Sequence, residues 1–367
     1  MKMQRTFAPI RLTGAVTVVF FAASSLRADE TVRQGYRLAP KAFRAAVARV
    51  EPSLVTIETF GGVGPSSGRA QRGAMSGINR PGEGPTTGLI VSSDGYIITS
   101  TFNFIRKPAI VTVVLADGTR KVAELLGRDE TRKLCLLKIE GVSNLPVCEY
   151  VPRENLRVGH WAVTVGVGYG DDNPAVSAGI VSATHRVSRR AVQTDANISP
   201  ANYGGPLVDV EGRVIGICVP LTPGSQEVGS GVEWYDSGIG FAVPLAGYEK
   251  YLERMKQGDV IEPGKMGVTG KPADAKTGGG VVIDKVMPKS PAEKAGVKSG
   301  DRVVKADGDE VLDMPHLITI VGRYVAGEEI SLELKRGDET VNLKVKLEAG
   351  LDQGAPGEPA PKAPEPD

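Results

Sequence analysis

Histidine is the side chain that most readily takes up a proton near neutral pH. Three histidines occur, and each is expected to have a structural or surface role: His160, His185 and His316. Lys133 is another candidate base, because a buried lysine can deprotonate a serine such as Ser100 or Ser199. No motif supports such a serine–lysine pair, and it stays open as an alternative.

The cysteines predict neither a metal site nor a disulfide framework. Their number is odd, and no two of them have the short spacing of zinc ligands: Cys135, Cys148 and Cys218. Cys135 and Cys218 lie within apolar strand patterns, so buried free thiols are expected there. We expect no cofactor and no metal ion.

Length and composition indicate a folded chain of more than one domain. The 367 residues exceed the size of one compact domain and suit two or three. Because 44 Lys and Arg residues nearly balance 43 Asp and Glu residues, charge provides no argument for a nucleic-acid or anionic-membrane partner.

Residues 1–28 have the pattern of an export signal peptide. Basic residues precede an uncharged run over 12–26, and the run ends close to Ala28, where cleavage is expected. This run is shorter than the roughly 20 residues that span a bilayer. We therefore expect a mature protein exported across the inner membrane, periplasmic or extracellular, with no membrane span; an uncleaved anchor is the alternative.

Short apolar runs separated by Gly-rich turns dominate residues 53–255 and predict a mainly β fold of barrels or a sandwich. Helix-type spacing precedes them within 29–52, and 256–265 have the composition of a linker. Residues 266–348 predict a small unit of strands and two helices, the first beginning at Ser290 and Pro291. The Pro-rich tail, 349–367, is expected to be disordered.

Several segments, in this order, resemble the HtrA/Deg family of secreted trypsin-like serine proteases with C-terminal PDZ domains. The resemblance covers about residues 40 to 348, and it implies a trypsin-like double β-barrel followed by one PDZ domain. Any one segment is weak, but their joint order is specific: Gly95-Tyr96-Ile97-Ile98-Thr99, Leu115-Ala116-Asp117-Gly118, Val192-Gln193-Thr194-Asp195-Ala196, Gly204-Gly205-Pro206-Leu207-Val208, Gly238-Ile239-Gly240-Phe241-Ala242-Val243-Pro244, Ser290-Pro291-Ala292 and Gly300-Asp301.

All three side chains of the family's catalytic triad are replaced at the matching positions. Phe102 stands where the motif has His, Lys133 where it has Asp, and Tyr203 where it has Ser. Phenylalanine cannot accept a proton, and the phenol of tyrosine has an ordinary pKa of about 10. Ala201 replaces a turn glycine beside the oxyanion hole. The triad positions predict a protein that is not an enzyme, although the family-level expectation is an active endopeptidase.

The PDZ resemblance implies binding of an extended C-terminal peptide whose carboxylate is held by backbone N–H groups. Met266, Gly267 and Val268 resemble the carboxylate-binding loop. Leu317, Ile320 and Val321 are candidates to line the side-chain pocket, with core packing as the alternative.

We therefore expect a pseudoprotease that binds unfolded or C-terminal peptides through the PDZ domain, with the barrel cleft as a second candidate site. Its role would be that of a chaperone, an adaptor or a modulator of active relatives in protein quality control. The alternatives are an active HtrA-type serine endopeptidase and a purely structural PDZ scaffold. A homotrimer is implied by the resemblance alone.

Overall fold

The computed structural model describes residues 38–61, 85–105, 107–168, 173–221, 237–273 and 279–350. The predicted signal peptide, most of the Gly-rich segment before residue 85 and the tail beyond 350 lie outside these ranges. Within the described ranges, no helix is both long and apolar enough to cross a membrane.

Residues 38–50 form the first helix, α1, as the apolar spacing predicts. Ala46 and Val50 on one face of α1 are buried in the largest hydrophobic core. Phe43 packs edge-on against Trp161, with 5.3 Å between the ring centroids. The helix thereby covers one side of the barrel that contains Trp161.

The first barrel consists of six antiparallel strands, closed by pairing between the fifth and the sixth. Apolar side chains alternate with polar ones where a strand has one face in the core, and Val111 and Val113 are such inward residues. The strands are β1 (Leu54–Phe60), β2 (Thr86–Ile90), β3 (Tyr96–Ser100), β4 (Ile110–Val114), β5 (Arg120–Asp129) and β6 (Leu134–Ile139).

The second barrel is closed in the order β10-β11-β12-β9-β8-β7. Its core is built from small and β-branched residues, among them Ala162, Val192 and Ile215. Together with the first barrel it confirms the predicted double-barrel fold. The strands are β7 (Trp161–Gly166), β8 (Ala175–Arg186), β9 (Ala191–Thr194), β10 (Pro206–Val208), β11 (Val214–Cys218) and β12 (Gly240–Val243).

The apolar spacing over 245–255 predicts a helix, and in the structure this helix begins later than the spacing indicates. Helix α2 covers Glu249–Lys256, because Gly247 adopts φ +80° and interrupts the helical backbone just before it. Tyr248, at the N-cap, is buried in the same core as Met255.

The predicted linker, 256–265, is folded onto the first barrel. Strand β13 (Val260–Ile261) pairs in parallel with the end of β5, and Ile261 is fully buried. Pro263 then forms a β-bridge with Val325 of the C-terminal unit. The Gly and Pro content of this segment suggested a flexible connector, but its apolar residues complete an exposed sheet edge.

The C-terminal unit, 266–348, contains a six-stranded sheet and two helices, as the PDZ resemblance predicts. Ser290 caps the first helix by accepting a hydrogen bond from the Glu293 N–H. Apolar spacing predicts the second helix over 314–324, and in the structure it ends earlier, at Val321. The elements are β14 (Val268–Pro272), β15 (Val281–Val286), α3 (Pro291–Lys294), β16 (Arg302–Ala306), β17 (Asp309–Glu310), α4 (Met314–Val321), β18 (Glu329–Arg336) and β19 (Glu339–Lys346).

The C-terminal unit is docked against the barrels by apolar and ionic contacts. Val325 is fully buried in the core that contains Tyr251 and Met255. Beside it, the Glu328 carboxylate lies 2.6 Å from the Lys250 Nζ and accepts a hydrogen bond of 3.1 Å from the Tyr251 hydroxyl.

Candidate functional site

Two of the three triad positions lie in direct contact between the barrels. Phe102 belongs to a 3-10 turn that follows β3, and its N–H is capped by the Ser100 hydroxyl at 3.2 Å. Tyr203 follows a second 3-10 turn, Pro200–Asn202. Their rings pack edge to face with centroids 5.1 Å apart, and the two residues are 5% and 3% exposed. This geometry is a favourable aromatic contact within a hydrophobic core.

The third position, Lys133, lies at the turn between β5 and β6, beside the Phe102 turn. Its carbonyl oxygen accepts a hydrogen bond of 2.9 Å from the Thr101 N–H. Its backbone is left-handed, with φ +58°, which is uncommon for a residue other than glycine. Burial lowers the pKa of the Lys133 ammonium, because the charged form loses hydration, and Arg190 adds to this effect while Glu130 opposes it.

The N–H groups at the end of the turn before Tyr203 are hydrogen-bonded to carbonyl groups of the same turn. The Asn202 N–H donates to the Ser199 carbonyl at 2.8 Å, and the Tyr203 N–H donates to the Pro200 carbonyl at 3.3 Å. A serine protease requires the N–H of the nucleophile residue to point at the developing oxyanion instead. Gly204 completes the turn with φ +87°, where an added Cβ would lie 2.2 Å from the Thr87 carbonyl oxygen.

The three histidines lie outside the two turns that carry this aromatic contact. His160 and His185 are exposed on the second barrel, and His316 lies on α4 of the C-terminal unit. All three positions are consistent with structural or surface roles. In the described part of the chain, no three His, Cys, Asp or Glu side chains come together as a metal site.

A buried ionic cluster beside Lys133 was not identified from the sequence. The fully buried Asp129 carboxylate accepts hydrogen bonds from the Arg132 guanidinium at 2.9 Å and the Tyr248 hydroxyl at 3.0 Å. The Arg132 guanidinium also stacks over the Tyr251 ring at 4.1 Å. Burial, together with the nearby Arg132 charge, lowers the pKa of Arg190 to about 10. The Asp-x-Thr spacing that begins at Asp129 could have indicated this buried carboxylate, since an aspartate side chain often caps the turn that follows it.

The predicted carboxylate-binding loop presents two N–H groups to one side. The carbonyl oxygens of Met266 and Gly267 accept hydrogen bonds from the Ala292 N–H at 3.0 Å and the Met287 N–H at 2.9 Å, inside the C-terminal unit. In a planar trans peptide the C=O and N–H point in opposite directions. The N–H groups of Gly267 and Val268 therefore point away from the unit. Gly267 adopts φ +81°, which favours glycine.

The helix residues predicted to line the peptide pocket divide into two groups. Leu317 and Ile320 are 1% and 0% exposed and belong to the core of the C-terminal unit, which is the alternative that their spacing allowed. Val321 is only partly buried against that core. Helical periodicity identifies an apolar stripe, but it does not tell which edge of the stripe reaches the surface.

An apolar flank of α4, formed by Met314, Ile318 and Val321, was missed in part by sequence reasoning. These residues lie three or four positions apart and therefore share one side of the helix. On the other side, Arg323 donates to Asp309 of β17 at 2.5 Å, next to β16. Helix α4 packs against both β14 and β16. Since its Arg323 side lies toward β16, its apolar flank lies toward β14. Ile318 is 60% exposed, so this flank presents an apolar side chain to solvent beside the partly buried Met314 and Val321.

Comparison with protein families divides the chain as the fold does. The family description "Trypsin-like peptidase domain" matches residues 86–217, and the description "PDZ domain" matches residues 264–347. The second match begins two residues before the predicted boundary at 266.

Curated relatives share both parts of the chain. A probable periplasmic serine endoprotease, DegP-like, of Hahella chejuensis is 31% identical over 343 residues, which cover 84% of this chain and 70% of that protein. A protein of the same description from Rickettsia prowazekii is 29% identical over 279 residues. The chain spans about half the length of several such relatives, 53% in the Rickettsia case.

A solved structure described as the HtrA-type protease AlgW with decapeptide superposes with a TM-score of 0.61 at 27% identity. The similarity covers 83% of this chain and 98% of that one. Both the barrels and the C-terminal unit thus have counterparts in one known structure.

Proposed function

Because this chain belongs to the HtrA/DegP family, which joins a trypsin-like protease to a PDZ domain, we propose that it is a member that binds polypeptides without cleaving them. The observation that carries the proposal is the edge-to-face contact of Phe102 and Tyr203, which occupies the space where a family protease would activate its nucleophile. The relatives are named as serine endoproteases, so the proposed absence of cleavage would distinguish this chain from them.

Chemistry supports the absence of cleavage in three steps. Phe102 cannot accept a proton, so nothing at that position deprotonates a nucleophile. Tyr203 places a bulky phenol ring in a buried apolar core, where the family's nucleophile would be a serine hydroxyl. The Tyr203 N–H is bonded within its own turn and does not contribute to an oxyanion hole. Each loss alone costs orders of magnitude in rate.

The PDZ domain (residues 266–348) supports peptide binding. The N–H groups of Gly267 and Val268 form a cradle for a terminal carboxylate, and β14 offers a sheet edge to an extended chain. The apolar flank of α4 lies along that edge, so a peptide with an apolar last residue fits the groove. A peptide in the barrel cleft remains a second candidate mode.

A role in periplasmic protein quality control follows from the export signal pattern at 1–28 and from relatives named as periplasmic. The protein would act there as a chaperone, as an adaptor, or as a modulator of active relatives. A homotrimer is part of this proposal. We propose further that the domains run over 53–255 and 266–348, with 29–52 as the N-terminal segment.

Proteolysis is tested by incubating the mature protein with unfolded casein, with trypsin as the positive control. We expect no cleavage by wild type, and none by Tyr203→Ser, because a serine at that position still lacks a base. Robust cleavage by wild type would overturn the proposal.

Peptide binding is tested by calorimetric titration of acetylated peptides that end in Val-Leu-Val, with a free or an amidated C-terminus. We expect a Kd of about 1 μM, or roughly −8.2 kcal/mol, for the peptide with a free carboxylate. Amidation should abolish measurable binding. Equal affinity of both forms would contradict the proposed mode. Suppression of the aggregation of heat-denatured citrate synthase separates a chaperone from a purely structural scaffold.

One observation favours a second candidate, a serine–lysine endopeptidase. The pKa of the buried Lys133 is lowered, as a catalytic lysine requires, and Ser100 pairs with the neighbouring Leu134 across the sheet. If this pair were catalytic, casein would be cleaved by wild type and not by Lys133→Ala.

A further inference from the structure

Arg132 and Arg190 bring two buried guanidinium groups to the same residue, Thr131. Arg132 donates to the Thr131 hydroxyl at 3.1 Å, and Arg190 donates to the Thr131 carbonyl at 3.0 Å. Both arginines are 7% exposed. They come from distant parts of the chain, the turn between β5 and β6 and the hairpin between β8 and β9. The fold therefore holds two like charges close together away from water, which is costly unless opposite charges compensate them.

One carboxylate in this cluster compensates Arg132 but not Arg190. The Asp129 carboxylate lies 2.9 Å from the Arg132 Nη1, and it also accepts a hydrogen bond of 2.6 Å from the Thr131 hydroxyl. Arg190 instead donates to two backbone carbonyls, those of Thr131 and Val187, at 3.0 and 3.2 Å. Its side chain forms no ion pair with the described residues. The positive charge of Arg190 is therefore left without a direct counter-charge.

A third arginine, Arg153, adds to this excess of positive charge. It lies on the 3-10 turn before β7, Arg153–Asn155. Partial burial lowers the pKa of Arg153, and the positive charge of Arg132 lowers it further. Its exposed side chain forms no hydrogen bond or ion pair within the described ranges. Two other charge pairs nearby cancel, Glu130 with Lys133 and Glu328 with Lys250. Three arginines thus face the single charge of Asp129, an excess of two.

The guanidinium nitrogens that bond nothing inside the protein stay accessible. They are the Nη2 of Arg190 and the Nε and Nη2 of Arg132. Among the described residues, side-chain nitrogens that are both enclosed and unpartnered belong to Asn103 and Arg323, not to these arginines. The ring of Tyr251 fixes the position of Arg132, which stacks over it at 4.1 Å. Donors of this kind are held in place before a ligand arrives.

From these contacts we propose that Arg132, Arg153 and Arg190 bind a small free oxyanion with two negative charges, inorganic phosphate, beside Tyr251. A dianion matches the excess of two positive charges, and planar guanidinium groups suit the paired oxygens of phosphate. Arg132 and Arg190 are enclosed, so a small ion reaches them and the headgroups of a bilayer surface do not. The site is separate from the PDZ groove, and it does not depend on the proposed peptide binding.

Bound phosphate would join three segments of the barrels: the turn between β5 and β6, the turn before β7, and the hairpin between β8 and β9. A ligand that binds only the folded state raises its stability with a saturable dependence on concentration. The test is thermal unfolding of the full mature chain, followed by tryptophan fluorescence at pH 7.5, in chloride or inorganic phosphate at equal ionic strength. We expect the midpoint to rise by about 2–4 °C at roughly five times the dissociation constant of phosphate.

Two variants should lose most of this rise. Arg153→Ala removes one donor at an exposed position, so the variant should fold as wild type does. Arg190→Lys keeps the charge but loses the planar fork that holds two phosphate oxygens. Arg157→Ala is the matched control, because Arg157 is an exposed arginine of the same segment whose guanidinium donates to the carbonyls of Glu154 and Leu156. It should keep the full rise.

A rise that does not saturate, or that is equal in Arg153→Ala and Arg157→Ala, would be a general salt effect and would overturn the site. Flotation with vesicles of phosphatidic acid and phosphatidylcholine distinguishes a free ion from a lipid headgroup. We expect no protein to float with these vesicles. Flotation without a phosphate-dependent midpoint would show that the arginines bind a lipid surface, and it would overturn the proposed free ion.

Discussion

The barrel site and the PDZ groove use similar apolar side chains in opposite ways. Phe102 and Tyr203, at two of the positions predicted to match the family's triad, are packed against each other and closed to solvent. Ile318 is exposed beside a sheet edge that among the described residues has a strand on one side only. An apolar side chain that is buried stabilises the fold, whereas an exposed one stabilises a complex when a partner covers it. The two regions should therefore respond to mutation in different measurements.

The largest effect is expected at the barrel site, on stability. Phe102→Ala removes a buried ring and leaves a cavity, so it should lower the free energy of unfolding by about 3–5 kcal/mol. Chemical denaturation followed by tryptophan fluorescence measures this, and peptide titration should show unchanged affinity in native buffer. A stable Phe102→Ala protein with altered casein cleavage would show instead that the residue serves chemistry.

The second-largest effect is expected on peptide affinity, at the predicted carboxylate-binding loop. Gly267→Ala forces a left-handed backbone on a residue with a Cβ, which costs about 1–3 kcal/mol and tilts the N–H groups. Affinity for the Val-Leu-Val peptides should fall at least tenfold. Gly337→Ala is the matched control, because Gly337 has φ +61° in a remote hairpin with open space around it. Equal affinity losses in both variants would mean that general strain is responsible.

A smaller effect is expected on the helix flank. Ile318→Asp places a charge in the groove but disturbs little packing, so stability should change by no more than about 0.5 kcal/mol. Peptide affinity should fall roughly tenfold, because desolvating the new carboxylate opposes apolar side chains. Thr319→Asp, on an exposed position of the same helix, should bind peptide normally. A large loss of stability in Ile318→Asp would contradict the open groove.

The smallest effect is expected where the C-terminal unit is docked against the barrels, at Glu328. Burial raises the pKa of the Glu328 carboxyl, but hydrogen bonds from Lys250 and from the Val325 N–H outweigh it, and the net pKa is lowered. The contact therefore stabilises the docked arrangement above the ordinary glutamate pKa and loses this contribution as the pH falls through the lowered value. Glu328→Gln should lower stability at pH 7 by no more than about 1 kcal/mol, and the difference should shrink as the pH falls through the lowered pKa of Glu328.

Thermal unfolding of wild type and Glu328→Gln across this pH range measures the contribution. A difference that grows toward low pH would have the wrong sign and would contradict the assigned contact.

Sequence reasoning succeeded best where local pattern and composition agree. The start of α3 at Ser290 and the strand runs of both barrels were predictable, because capping and alternating burial are encoded within a few residues. It was less successful with 256–265, which has linker composition but contains β13, and with Leu317 and Ile320, which are core residues. In each case the outcome depends on a partner surface that is distant in the chain.

By itself the sequence determined which side chains stand at the positions matched to the triad, and it predicted the fold. The side chains at positions 102, 133 and 203 are known without coordinates, and no folding can give phenylalanine a basic nitrogen. Only the tertiary structure decided what those side chains do instead: Phe102 and Tyr203 approach to 5.1 Å from segments about a hundred residues apart in the chain. It also decided which face of α4 is open and that β14 lies at the edge of its sheet. These properties depend on how distant elements pack, and packing is not contained in any local pattern.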